Sequence, residues 1–142
     1  MQIIKTFWRT IGWAIFVLLL SAWSGEQINK IPLLHIHNLD KVIHFGMYFI
    51  FSFLMMHDFS NSKKKTFALK QVIIFSVAVA IFYGGIMELL QSIPRLHRTT
   101  DIFDFIANAT GSLTAVILYK PITLFLNWVT AVAIKPPRHY SL

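Results

Sequence analysis

Apolar residues run through this chain in long blocks, each interrupted by a short group rich in charge, proline or glycine. Four blocks approach the roughly 20 residues that a helix needs to cross the hydrocarbon core of a bilayer. The first extends from about Thr6 to Trp23, with Trp8, Trp13 and Trp23 as interfacial anchors. The second, about Val42 to Met56, reaches full length only if the polar residues before it join the helix. The third, about Leu69 to Leu90, is the most continuous. The fourth begins near Ile102 and ends near Tyr119, where Lys120-Pro121 breaks the run. Beyond it, Ile122 to Ile134 is apolar but short and is punctuated by Asn127, Trp128 and Thr130, which predicts an interfacial helix rather than a fifth span. The pattern therefore predicts an all-α fold, a small polytopic transmembrane helix bundle of about four spans plus a C-terminal interfacial helix.

Composition agrees. Of the 142 residues 56% are hydrophobic and 13% charged, with a mean hydropathy of +0.61, where a soluble domain carries about a quarter charged residues. The length suits a single integral membrane domain over residues 1–142. The formal charge of +7 sits between apolar blocks, where it reads as orientation and attraction to anionic headgroups; no basic stripe or reading motif points to nucleic acid. With no cysteine there is no disulfide, thiolate metal site or cysteine nucleophile. Lys5 and Arg9 before an apolar run, with Ala22-Trp23-Ser24 at its end, also fit a cleaved signal peptide; a retained signal-anchor helix is the preferred reading.

Orientation follows from the basic residues. Lys5 and Arg9, then Lys63, Lys64, Lys65 and Lys70, then Lys120, Lys135 and Arg138 fall on one side of a four-span chain. Only Lys30, Lys41, Arg95 and Arg98 fall on the other. The positive-inside rule then places both termini in the cytoplasm.

Polar residues recur at helical spacing within three of the blocks. Asp40, His44 and Tyr48 fall at i, i+4 and i+8, with Lys41 three residues before His44. Gly84, Glu88, Gln91 and Arg95 make a second stripe, followed by Arg98; Asp101, Asp104, Asn108, Gly111 and Ala115 make a third. All three lie toward the same, outward membrane surface. Ionisable groups there are costly unless they face inward and satisfy one another, and the small residues on the same stripes would let the helices approach closely.

These motifs carry a family resemblance. Asp40-Lys41-x-x-His44-Phe45-x-x-Tyr48, then Glu88-x-x-Gln91 with Pro94-Arg95, then Asp101-x-x-Asp104-x-x-x-Asn108-x-x-Gly111 resemble, in order and spacing, the motifs of VanZ-like membrane proteins. The resemblance covers a core of about 40–119 and leaves the segment before Asp40 and the apolar tail 120–142 outside it. It implies about four transmembrane helices in a bacterial inner membrane, multi-pass, and an accessory role in the cell envelope. It also brings the low-level teicoplanin resistance associated with the family's prototype.

Asp40, Lys41, His44, Tyr48, Glu88, Gln91, Arg95, Arg98, Asp101, Asp104 and Asn108 are thus expected to form one polar cluster. Its plainest role is structural, a salt-bridge network joining short helix ends. Its functional role is an outward pocket for a lipid or lipid-like amphiphile, with Arg95 and Arg98 matching phosphate or carboxylate. A second reading is a non-catalytic interaction subunit of a larger membrane protein complex. A third is a lipid-modifying enzyme with Glu88 and His44 as acid–base pair, although no catalytic motif supports it and no catalytic residues are assigned. His35 and His37 with His44, His97 and Asp101 have no recognised metal-ligand spacing, so neither a metal nor any other cofactor is expected; membrane lipids are the expected partners.

Overall fold

Each of the four apolar blocks folds as one long helix, because in lipid the backbone must satisfy its own hydrogen bonds. The computed structural model describes residues 2–23, 38–62, 67–93 and 101–134. Among these, α1 spans Gln2–Ser21, α2 Leu39–Ser60, α3 Leu69–Gln91 and α4 Ile102–Ile134. All four are long and apolar enough to cross a membrane. This is the all-α bundle that the hydropathy pattern predicts.

The largest departure from the sequence reading is at Pro121. No separate interfacial helix follows Lys120; α4 continues without a break to Ile134. Pro121 removes a single N–H from the ladder and leaves the Ile117 carbonyl short of a donor. The apolar run on either side still gains from staying helical, and the Thr123 hydroxyl donates to the carbonyls of Tyr119 and Lys120, each at 2.9 Å. At 1.5 Å per residue α4 is about 50 Å long, well beyond the roughly 30 Å hydrocarbon core. Helix α2 is also longer than its apolar block, since Asp40 and Lys41 open it and His57 and Asp58 close it.

Helix α2 occupies the middle and packs against α1, α3 and α4. Val17, Met47, Tyr48, Phe51, Met55, Ala80 and Met87 form one buried cluster; Met56, Val72 and Ala115 form a second toward the C-terminal end of α2. A close helix approach occurs at Gly111 of α4, where an added Cβ would run into the backbone carbonyl of Phe45 in α2. Gly84 on α3 leaves a notch filled by Tyr48 and Asn108. The small residues picked out on the stripes, Gly84, Gly111 and Ala115, are therefore all at helix contacts.

Helix α1 joins this core through Val17, through the Trp13 indole N–H donating to the Met47 carbonyl at 2.9 Å, and through the Tyr83 hydroxyl donating to the Ala14 carbonyl at 2.7 Å. Trp13 is therefore a packing residue rather than an interfacial anchor, while Trp8 and Trp23, toward the two ends of α1, are exposed. The contacts divide the bundle into two ends. The start of α2, the end of α3 and the start of α4 meet at one. The start of α1, the end of α2 and Tyr119 of α4 meet at the other.

Candidate functional site

The start of α4 is fixed by Asp101, whose Oδ1 accepts the Phe103 N–H at 2.9 Å while its backbone carbonyl accepts from Asp104 and Phe105. This is an N-cap, which satisfies a donor left orphaned at a helix start. The other carboxylate oxygen of Asp101 takes the Lys41 ammonium at 2.9 Å. Lys41 also reaches Asp40 Oδ2 at 3.0 Å and Asp104 Oδ1 at 3.3 Å. One lysine from α2 thus gathers three carboxylates and ties the first turns of α2 and α4 together. The Lys41 ammonium and the Phe103 N–H hold the Asp101 carboxyl below its usual range.

A second, drier layer lies one turn deeper. His44, Glu88 and Asp104 are 4%, 5% and 6% exposed, and Asn108 is fully buried. The Asn108 amide is oriented by its two neighbours: Nδ2 donates to Glu88 Oε1 at 3.4 Å, and Oδ1 stands 3.0 Å from His44 Nδ1. Glu88 Oε1 lies 3.5 Å from the same ring nitrogen. Two oxygens thus lie beside Nδ1. Nε2 then faces Asp104 Oδ2 at 3.8 Å. Two sets of potential metal-ligating atoms arise here, each lying within 4.8 Å of one another: His44, Glu88 and Asp104, and Asp40, Asp101 and Asp104. The second already holds the Lys41 ammonium.

Tyr48 and Gln91 are buried on the stripes where the sequence places them. The Tyr48 hydroxyl has no hydrogen-bond partner among the described residues. Of the eleven residues expected in the cluster, the structure thus brings Asp40, Lys41, His44, Glu88, Asp101, Asp104 and Asn108 into one contact network, with Tyr48 against Asn108 in the Gly84 notch. Arg95 and Arg98 lie outside the described residues, as do His35, His37 and His97. The polar end opens sideways through two apolar grooves. One, of about 570 Å³ between α2 and α4, is lined by Val42, Phe45, Phe103 and Ala107 and ends on Asn38 and Lys41. The other, of about 690 Å³ between α3 and α4, includes Phe82, Ile86 and Phe105 and ends on Glu88 and Asp101.

A family model described as VanZ/LLP1 matches residues 3–126, and so takes in α1 and the start of the C-terminal tail, both outside the motif resemblance. The chain belongs to the VanZ/LLP1 family. An uncharacterized protein of Schizosaccharomyces pombe, C11E3.10, is 32% identical over 108 residues, a stretch that is 74% of this chain and 60% of that relative. The chain thus spans only part of the length of this curated relative, and the match extends the similarity to a eukaryote. No solved structure matches.

This VanZ/LLP1 chain has a second polar site that the sequence reading did not single out. Asp58, near the end of α2, is 0% exposed. It accepts the Arg9 Nε–H at 2.9 Å, the Thr10 hydroxyl at 2.7 Å and the Thr10 backbone N–H at 3.2 Å. The backbone of α1 is non-helical at Phe7 (φ −104°, ψ 18°), which breaks the ladder and frees N–H groups in the following turn. Asp58 therefore caps, from another helix, the part of α1 that begins after Phe7. Phe7 packs edge-on against Phe59, with ring centroids 4.7 Å apart, which holds the break beside its cap. The available signal was an aspartate at the end of an apolar block with an arginine at the start of another.

Proposed function

We propose that this chain is a membrane-embedded binding protein of the cell envelope. Its polar end receives the headgroup of a lipid or lipid-like amphiphile, and the lateral grooves receive the chains. One observation carries the reading: an open apolar groove between α2 and α4 ends on Asn38 and Lys41, at the rim of the buried His44–Glu88–Asp104 layer. An acyl chain suits the groove, and an ammonium beside buried hydrogen-bonding groups suits a headgroup at the membrane interface. The charge pattern supports a cytoplasmic location for both termini, with the polar end facing outward. The motif resemblance supports a bacterial inner membrane as the setting. A glycopeptide-resistance-type role is one consequence that binding a lipid-linked envelope molecule would have there.

The test fills the groove without touching a charge. Native mass spectrometry of the full chain released from nanodiscs should show retained lipid in the wild type and in Ala78→Trp, on the exposed side of α3. Retention should be lost in Ala107→Trp, which occupies the groove. Equal lipid retention by a folded Ala107→Trp variant would overturn the reading.

The interaction-subunit reading draws support from a different feature. Past Thr123, α4 leaves the bundle core and exposes Leu124, Phe125, Leu126, Trp128, Val129 and Val132. A continuous apolar helix of this kind suits contact with other membrane-embedded protein. Co-purification of a stoichiometric membrane protein that is lost on truncation after Thr123 would favour this role; an unaccompanied chain from native membranes would count against it.

A further inference from the structure

We propose that the C-terminal half of α4 is a dimer contact, at which the stripe Ile117, Leu124, Phe125, Trp128 and Val132 packs in parallel against the same stripe of a second copy of this chain. The inference rests on the interaction-subunit reading and deepens it by naming the partner.

Length comes first. The Tyr119 hydroxyl donates to Ser60 at 2.8 Å, so Tyr119 is level with the last turn of α2. From Asp101 to Tyr119 the rise along α4 is about 27 Å, close to the roughly 30 Å of the hydrocarbon core. Residues 120–134 then carry the helix roughly 20 Å further. Every residue over 124–133 is exposed, so no described part of the chain covers this end.

The protruding end has two unlike sides. At about 100° per residue, Ile117, Leu124, Phe125, Trp128 and Val132 share one side of α4, and each is more than half exposed. The Phe125 and Trp128 rings stand 6.1 Å apart on that side. Thr123, Asn127 and Thr130 share the opposite side. A single apolar stripe along a helix is a packing face, and one helix laid along it is enough to cover it.

Length and charge select a second copy as that helix. The covering helix must lie beside Ile117, level with the bundle, and still lie beside Val132, well past it. That takes an apolar helix about as long as α4 and set at the same height. Copies of one chain insert with one orientation, so a two-fold axis along the membrane normal brings a second α4 alongside at equal height. Self-contact also meets no electrostatic penalty. Residues 121–134 hold no charged side chain, and Lys120 falls on the Asn127 side, away from the stripe. Like charges therefore do not meet across the axis. Phe125 and Trp128, toward the middle of the protruding end, are the residue types that anchor interface centres.

The absence of native cysteine makes the contact open to mapping by cross-linking. Single-cysteine variants of the full chain are oxidised in native membranes and separated on non-reducing gels. Phe125→Cys, Trp128→Cys and Val132→Cys should form a disulfide-linked species of twice the chain mass. Its yield should be several-fold lower for Thr123→Cys and Asn127→Cys on the opposite side, and for Ile74→Cys on the exposed side of α3. A second measurement leaves the contact unmutated: two differently tagged wild-type copies, co-expressed, should co-purify in nanodiscs drawn from native membranes. Equal cross-linking on both sides of α4, or tagged copies that do not co-purify, would overturn the dimer. Adducts between the stripe and a chain of another mass would overturn self-pairing and leave the interaction-subunit reading standing. A chain that gains no partner of either kind would remove both.

Discussion

Arg9 and Asp58 pair at 2.9 Å across the end of the bundle opposite the candidate site, and the two partners are unequally buried. The arginine side chain is 36% exposed and the carboxylate 0%. The consequences of breaking the pair should therefore differ by partner. Arg9→Met leaves a fully buried carboxylate without its cation, a class of change that costs about 3–5 kcal/mol. Asp58→Asn keeps an acceptor for Thr10 and lets Arg9 turn to water, so its cost should be nearer 1–2 kcal/mol. Thermal unfolding of the two variants in one detergent checks the order; equal losses would mean that the carboxylate is compensated by something other than Arg9.

Gly111 and Gly46 make a matched pair of glycines in helix interiors. At Gly111 a methyl group meets the Phe45 backbone, which cannot move aside as a flexible side chain would. At Gly46 nothing lies within 4 Å of the added carbon. Gly111→Ala should force α2 and α4 apart and destabilise by about 1–3 kcal/mol. Gly46→Ala should stabilise by roughly 0.5–1 kcal/mol through reduced backbone entropy of the unfolded chain. Opposite signs in a melting comparison are the expected result.

Much of this architecture is legible in the hydropathy pattern, and the exceptions have physical causes. Helix α3 matches its apolar block almost residue for residue because it is apolar almost throughout. Helix α2 is longer than its block because its ends are polar residues with partners on other helices, which hydropathy scores as loop. The anticipated break at Pro121 fails because one lost hydrogen bond does not end a helix whose flanks are both strongly apolar. Within the candidate site the i, i+4 stripes locate His44, Glu88, Asp104 and Asn108, since three helices with polar faces at one membrane level must turn them together. The Asp58 site was harder to see. Its partners are 48 and 49 residues away, and the free N–H it caps exists only because α1 breaks at Phe7.

Asp101 supplies a pH dependence with a definite sign. Its carboxyl sits below the ordinary value of 3.8, held there first by the Lys41 ammonium and then by the Phe103 N–H. A group whose folded value is depressed contributes its stability above the unfolded value and loses it as pH falls through the folded one. The tether between the starts of α2 and α4 should therefore be intact at neutral pH and weaken below about pH 4. Asp101→Asn should remove that part of the acid transition. The check is melting temperature against pH for both chains; identical profiles between pH 5 and pH 2 would mean that Asp101 does not report on folding.

The two polar ends face opposite sides of whatever membrane the bundle spans, and the natural absence of cysteine makes that directly measurable. Asn61, just past α2, and Ser92, just past α3, are exposed residues at opposite ends of the molecule. The weight of basic residues lies toward the Asn61 end, where Arg9 and Lys70 also sit, and the positive-inside rule assigns that end to the cytoplasm. In intact cells a membrane-impermeant maleimide should label Ser92→Cys and leave Asn61→Cys untouched until the membrane is opened. The reverse pattern would turn the His44–Glu88–Asp104 layer toward the cytoplasm. The amphiphile that it meets would then be drawn from the inner leaflet, not from the cell surface. Labelling of both positions in intact cells would mean that α3 does not cross the membrane, and the four-span bundle itself would need revision.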